Sequence, residues 1–510
     1  MKNKFLQGTL ILLITSLLLR GMGFVYQMLI VRFAGTEAVG LLNMSFPFYI
    51  IFVVLATSGM PVAIAKLTAG YVSQGREYQI TTIMRTAFLL VAVLSLCGFA
   101  VAFFIMPEIF LLLGTEKRVA QCFLVLIPGI IIVPFCSVMR GYFQGMQQMI
   151  FPSAGQIAEQ LIRVASGLFL IIWVCPRDVL SLAMALAMAA MLGELAGCLL
   201  LLFFYLYARH RQKQSETERT FPSRTVLPEL LSLGLPTTFT RLTSSIDMAI
   251  EASLVPFCLI AAGYNTSQAA SIYGQFSGVA VSLITIPTVL TGALGTALIP
   301  AVAEADASGN RTALEQRCSQ SVLITWMCSL PVILLIYVYG EELCLLLFHI
   351  EGLGSMMRML SFGAVFMYLE QTLVGILQGL GRTRTVFLNN FAGSASKLIG
   401  MYYCIRILDW GSIGIAGGMV LGYGLQCLLN LTALSRIVKI HLEWNAILLP
   451  VLFSFIMLIL IEQIVLMFPA HSILLLLAMV CGGLFYLLAL WCSGQLSVLT
   501  GRTETYEKNL

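Results

Sequence analysis

Apolar runs of about 20 residues or more recur along this chain, each long enough to cross about 30 Å of hydrocarbon. Inside lipid every backbone polar group needs an internal partner, which leaves helices or closed barrels. The strand-length alternation of a barrel is absent, so the spans are read as helices. Composition agrees, since 59% hydrophobic and 10% charged residues in 510 lie far from a soluble protein. The expected fold is an all-α polytopic membrane protein of about fourteen helices. They run roughly over 6–32, 41–69, 81–106, 119–144, 152–174, 179–207, 227–260, 270–303, 314–338, 353–379, 384–407, 412–437, 445–467 and 472–495. The apolar stretch after MKNK continues past Arg20 without a small-residue cleavage site, which marks a retained first helix rather than a signal peptide.

The chain also repeats itself. GYFQG at Gly141–Gly145 returns as GILQG at Gly375–Gly379, and the turn closing on Gly75 returns as the one closing on Gly309. Arg163 has Lys397 as its counterpart at the same spacing of 234 residues. Three landmarks at one offset mark a duplication, the architecture of a transporter with a cleft between repeats. The expected organisation is a six-helix lobe over 1–208, a charged linker over 209–226, a second six-helix lobe over 227–438, and two further helices with a tail over 439–510.

Basic residues set the orientation. With the N-terminus inside, nineteen of the 29 Lys and Arg fall on the cytoplasmic side, five on the other side and five within spans. Both termini are then cytoplasmic. No basic stripe with interleaved aromatics points to nucleic acid. The 13 cysteines form no C-x-x-C pair and lie mostly in apolar runs, where a thiol packs as a small hydrophobe. The four histidines are scattered, so no metal site is expected.

A charge within a span is costly enough to face protein or a water-filled cavity, which makes it a functional candidate. Arg20 and Arg241 take comparable places in the first helix of each repeat, as Arg163 and Lys397 do in the fifth. These four cations are the candidate substrate-binding residues. Each has a bland alternative in local pairing; for Arg163 that is Glu159, one helical turn earlier. Asp247 and Glu251 share a face of the seventh helix, where two carboxylates can hold a proton or cation between them or be neutralised by Arg241 or Arg358. Together with Glu194, inside Gly193-x-x-x-Gly197, and Glu370, they are the candidates for ion coupling. Prolines 47, 128, 134, 236, 256, 287 and 331 interrupt spans as hinges or tolerated kinks.

The opening block carries a resemblance. QGTLIL at Gln7–Leu12, the arginine then Gly-Phe at Arg20, Gly23 and Phe24, the VRFAG turn, and GMPVAIAKL at Gly59–Leu67 resemble the polysaccharide-flippase branch of the multidrug/oligosaccharidyl-lipid/polysaccharide exporter superfamily. With GYFQG, GILQG and the spans, the likeness covers nearly the whole chain. It implies two lobes around a central cavity, a lipid-tail groove lined by the last two helices, and flipping of an undecaprenyl-pyrophosphate-linked saccharide such as the lipid II precursor of peptidoglycan in a sporulating bacterium. It also implies that Arg20 matches an arginine essential in related lipid II flippases. The chain departs from those flippases at Tyr26 and near Tyr49 and Ile50, where they carry further arginines.

The expected function is therefore an alternating-access flippase that moves a polyprenyl-pyrophosphate-linked saccharide outward. Cavity cations would hold the diphosphate, and a proton, Na+ or the membrane potential would supply the drive, with no other cofactor. Expected partners are the lipid-linked saccharide, membrane lipids and the cell-wall synthesis machinery. One alternative is a cation-coupled multidrug exporter of the same superfamily, whose cavity would be acidic and aromatic. A membrane glycosyltransferase or polymerase is a third, disfavoured because no loop carries a D-x-D, an H-x-x-x-x-D or a large insertion.

Overall fold

The computed structural model describes residues 2–76, 78–112, 116–174, 178–212, 223–441, 444–467 and 472–495. Every element there is helical, and no strand occurs among the described residues. The chain divides into two compact units, Met1–Val279 and Ala280–Leu510. This division lies about two helices beyond the 209–226 linker, most of which falls outside the described residues, as does the C-terminal tail.

The first unit holds α1 (Lys2–Thr57), α2 (Met60–Ser73), α3 (Tyr78–Phe104), α4 (Met106–Leu112), α5 (Lys117–Leu126), α6 (Gly129–Gly145), α7 (Ile150–Phe169), α8 (Val179–Gln212), α9 (Ser223–Ala261) and α10 (Thr266–Gly274). The second holds α11 (Val281–Ile284), α12 (Thr288–Ala307), α13 (Arg311–Phe348), α14 (Gly354–Gly379), α15 (Thr383–Arg406), α16 (Ser412–Ser435), α17 (Trp444–Met467) and α18 (Ser472–Cys492).

Among the described residues eleven helices are long and apolar enough to cross a membrane. The count differs from fourteen at three places, each with a physical cause. The first two expected spans form one apolar stretch, Ile11–Ser73, bent at Gly35. Its φ of 82° with ψ of 163° is a conformation open essentially to glycine. The eighth expected span, 270–303, breaks into α10, a π-helical stretch, α11 and α12, with Pro287 at the last break. The eleventh, α15, is helical over nearly the expected bounds, but its polar face keeps it off the apolar criterion.

Breaks unseen in the hydropathy pattern fall at two further places. Ser58 and Gly59 both take positive φ, and Pro61 follows at the start of α2, so the chain turns in mid-span. Between α5 and α6 the turn falls at Ile127 and Pro128. Elsewhere side-chain capping sets helix starts. Asn265 and Gln268 form a reciprocal capping box at α10, and Asn310 accepts the Ala313 N–H at α13.

The duplication is visible in the packing of each unit. In the first, α6 lies on α2 so closely that a side-chain carbon at Gly141 or Gly145 would meet the carbonyls of Pro61 or Ala65 at 2.8 Å. In the second, α14 lies on α12 with Gly375 against Gly295 and Gly379 against Ile299. Each of these four partners is shifted by the same 234 positions. Gly75 and Gly309 close equivalent turns with φ of 68° and 66°.

Within the first unit α1 also crosses α10 at repeat-related residues. Gly40 abuts the Ala270 carbonyl, and Gly274 abuts the Thr36 carbonyl. The Asn43 amide donates to Ser277 Oγ (2.9 Å), while the Thr36 and Ser271 hydroxyls are 2.7 Å apart. Adding 234 to Thr36, Gly40 and Asn43 gives Ala270, Gly274 and Ser277, so the contact is nearly self-complementary. In the second unit α17 and α18 are anchored through α13, with Trp326 Nε1 donating to the Ile447 carbonyl (3.3 Å) and Tyr486 Oη to that of Met327 (2.7 Å).

Candidate functional site

The candidate residues do not gather into one cluster in either unit. In the first, four charged side chains on three helices form a closed set. Arg163 and Glu159 are one turn apart on α7, and Arg163 Nη2 donates to Glu159 Oε1 (2.8 Å) and to Glu194 Oε1 on α8 (3.2 Å). From α6, Arg140 Nη2 donates to the other oxygen of Glu159 (2.7 Å). Two guanidinium and two carboxylate groups make the set formally neutral, and each of its side chains is only 15–25% exposed.

Small residues bring α8 close enough for this. A side-chain carbon at Gly193 would lie 2.7 Å from the Glu159 carbonyl and 2.9 Å from Arg163 Cβ, and one at Gly197 would lie 3.0 Å from Gly155 O. The Gly193-x-x-x-Gly197 spacing therefore sets Glu194 beside Arg163. Buried Tyr49 of α1 adds a hydroxyl from the side of Gly129. Buried Tyr26 rests on Gly167 of α7. Both tyrosines lie near enough to feel the Arg163 charge.

Arg140, one of the nineteen basic residues that the sequence assigns to the cytoplasmic side, lies inside α6, five residues before its end, and is held by Glu159. Nineteen positions separate the two residues, and no local pattern marks a pairing made by helix packing.

Arg20 and Arg241 lie elsewhere in the first unit, on α1 and α9, and both are exposed. Around Arg241 the α9 surface is polar, with Thr240 and Ser244 also exposed about halfway along a 39-residue helix. Asp247 and Glu251 follow one turn apart, both half-buried.

In the second unit Lys397 takes the place of Arg163. A side-chain carbon at Gly422 of α16 would meet Lys397 Cβ at 2.5 Å, as one at Gly193 would meet Arg163 Cβ. The positions matching Glu159 and Glu194 hold Gly393 and Tyr423. The buried acid of this unit, Glu370 on α14, accepts from Gln426 Nε2 (2.8 Å), which also donates to Asn390 Oδ1 (2.6 Å). Beside it Asn389 donates to Asn430 (2.8 Å), so amide side chains on α15 and α16 form a polar ladder. Arg358 stays on its own helix, donating to the Gly354 carbonyl (3.3 Å).

Comparison with known proteins places this geometry. Residues 5–306 match the family model for polysaccharide biosynthesis proteins, and 277–403 match the MatE model. Stage V sporulation protein B of Bacillus subtilis (strain 168) is 28% identical over 87% of this chain and 86% of its own length. The lipid II flippase MurJ of the same organism is 24% identical, over 87% of this chain and 84% of its own. Among solved structures, MurJ in an inward closed conformation aligns with a TM-score of 0.69 at 14% identity, covering 94% of this chain and 98% of that one. An inward-facing MATE family transporter of the MOP superfamily aligns at 0.65 and 16% identity, covering 82% and 96%. The chain is a multi-pass membrane protein that belongs to the polysaccharide biosynthesis protein family.

Proposed function

We propose that this protein flips a polyprenyl-pyrophosphate-linked saccharide, of the peptidoglycan or spore-cortex precursor kind, from the inner to the outer leaflet. The observation that carries the reading is the exposure of Arg20 and Arg241, each far from the ends of a membrane-length helix. An exposed guanidinium facing hydrocarbon is too costly to persist, so these two face a water-filled lumen. Thr240 and Ser244 extend the same polar surface. Arginine forks suit the planar oxygens of a diphosphate, and a lumen lined with hydroxyls accepts the sugar. An inside-negative potential favours outward movement of the anion by about 2.3 kcal/mol per charge per 100 mV. Two of the relatives, a lipid II flippase and a stage V sporulation protein, agree with this reading in kind.

Reconstitution tests the reading. Vesicles holding the purified protein should expose a fluorescent undecaprenyl-pyrophosphate saccharide to an impermeant reagent faster than empty vesicles. Export of an organic cation without lipid flipping would instead make the protein a multidrug exporter.

The proposed orientation sets both termini in the cytoplasm. Single cysteines replacing Ser215, in the linker outside the described residues, and Ser355, near the start of α14, are expected to react with an impermeant thiol reagent from opposite faces. Labelling of both from one face overturns the fourteen-helix topology, and labelling of Ser215→Cys from outside overturns the orientation.

A further inference from the structure

The charged set of the first unit is uneven, and the unevenness points to a use. Glu159 is held by two arginines, one at each oxygen. Glu194 has only the longer of the arginine contacts, to an Arg163 nitrogen it shares with Glu159, and its carboxyl also lies within hydrogen-bond reach of the Glu159 carboxyl. The Nε–H groups of Arg140 and Arg163 and the hydroxyl of Tyr49 are buried there without a hydrogen-bond partner among the described residues. Buried donors in a folded protein are nearly always satisfied, so three around one charged set mark a place for acceptor oxygens.

We propose that Arg140, Arg163 and Tyr49 form an anion subsite, and that a proton on Glu194 switches it on. With Glu194 ionised the set is neutral and Arg163 is occupied by two carboxylates. With Glu194 protonated the set carries one net positive charge, and the Arg163 contact to α8 is released for a phosphate oxygen. Proton and anion then bind with mutual reinforcement, as linkage requires. The proposal rests on the flippase reading above, to which it adds a second point of hold on the headgroup and a regulator.

The groups facing Glu194 are few. Glu159 and Arg163 come from α7, Arg140 and Cys136 from α6, Tyr49 from α1, and Cys198 from one turn further along α8. From α5, which also packs on α8, Arg118 is tied to Glu37 and Glu116. Glu194, held by one shared arginine nitrogen where Glu159 is held by two arginines, is the carboxyl placed to take the proton.

The test uses the full-length protein in detergent and inorganic pyrophosphate as the probe. The titration of pyrophosphate itself is common to all variants and cancels in their affinity ratios. Glu194→Gln mimics the protonated acid, so its affinity should equal that of the parent at pH 5 and exceed it about tenfold or more at pH 8, where the parent has lost its proton. Tyr49→Phe removes one donor and no charge, and should weaken pyrophosphate about three- to tenfold at every pH. A Glu194→Gln ratio that stays at one from pH 5 to 8 overturns the switch, as does Glu159→Gln or Asp247→Asn/Glu251→Gln raising high-pH affinity in its place. Unchanged affinity in Tyr49→Phe overturns the subsite, and this arm stands even if Glu194→Gln fails to fold. Pyrophosphate binding as expected in a protein that flips no pyrophosphate-linked lipid would leave the subsite standing and remove the flippase reading; lipid flipping with neither effect would do the reverse.

Discussion

Vesicles reconstituted with the Arg20→Ala protein are expected to flip a pyrophosphate-linked lipid at least about thirtyfold more slowly than the parent. The magnitude follows from truncating one side of a charge-assisted contact that the bound headgroup shields from water, which costs about 2–5 kcal/mol. Arg20→Lys should recover only part of the rate, because the ammonium keeps the charge and loses the fork. Arg163→Ala is the informative contrast. Arg163 holds two carboxylates, so its loss leaves buried charge uncompensated and should destabilise the fold by about 3–5 kcal/mol. Thermal unfolding in detergent separates the two cases, since Arg20→Ala should melt close to the parent while Arg163→Ala melts well below it. A stable Arg20→Ala protein that flips lipid at the parental rate refutes the diphosphate role of this arginine.

That contrast follows from what sequence can and cannot record. Bounds of α14, α15 and α16 were legible to within about three residues, at Gly354–Gly379, Thr383–Arg406 and Ser412–Ser435, because polar punctuation there coincides with the helix ends, whereas α13 runs ten residues past its expected end at 338. The break at Ser58–Gly59 was not, since apolar residues continue on both sides and only the backbone conformation changes. Pairing of Arg163 with Glu159 could be seen from their spacing of four. Arg140, Glu194 and Tyr49 reach the same place only once α6, α8 and α1 pack on α7, and no one-dimensional pattern encodes that meeting. The division between units moved for a similar reason. Charge and polarity mark 209–226 as a linker, yet α9 and α10 pack with α1 strongly enough to join the first unit.

Locking α1 to α10 is expected to stop transport altogether and reversibly. The Thr36 and Ser271 hydroxyls are 2.7 Å apart on short side chains, so cysteines at both positions, in a background with silent native thiols, meet the reach of a disulfide. Under the proposed orientation this crossing lies on the outer side, near the turns at Gly35 and Gly263. A carrier of the alternating-access kind has to open it to release its cargo. Oxidised Thr36→Cys/Ser271→Cys protein should therefore flip no lipid, and a reductant should restore the rate. The opposite perturbation has the opposite sign. At Gly274 any side chain runs into the Thr36 carbonyl, and at Gly40 into that of Ala270, so Gly274→Val should part the helices and suppress cross-linking of the same cysteine pair. Both effects need the contact to be one that forms and breaks. Should the cross-linked protein flip lipid at the parental rate, the crossing is a fixed part of the first unit and the moving element has to be sought elsewhere, with the Ser58–Gly59 break between α1 and α2 the next candidate.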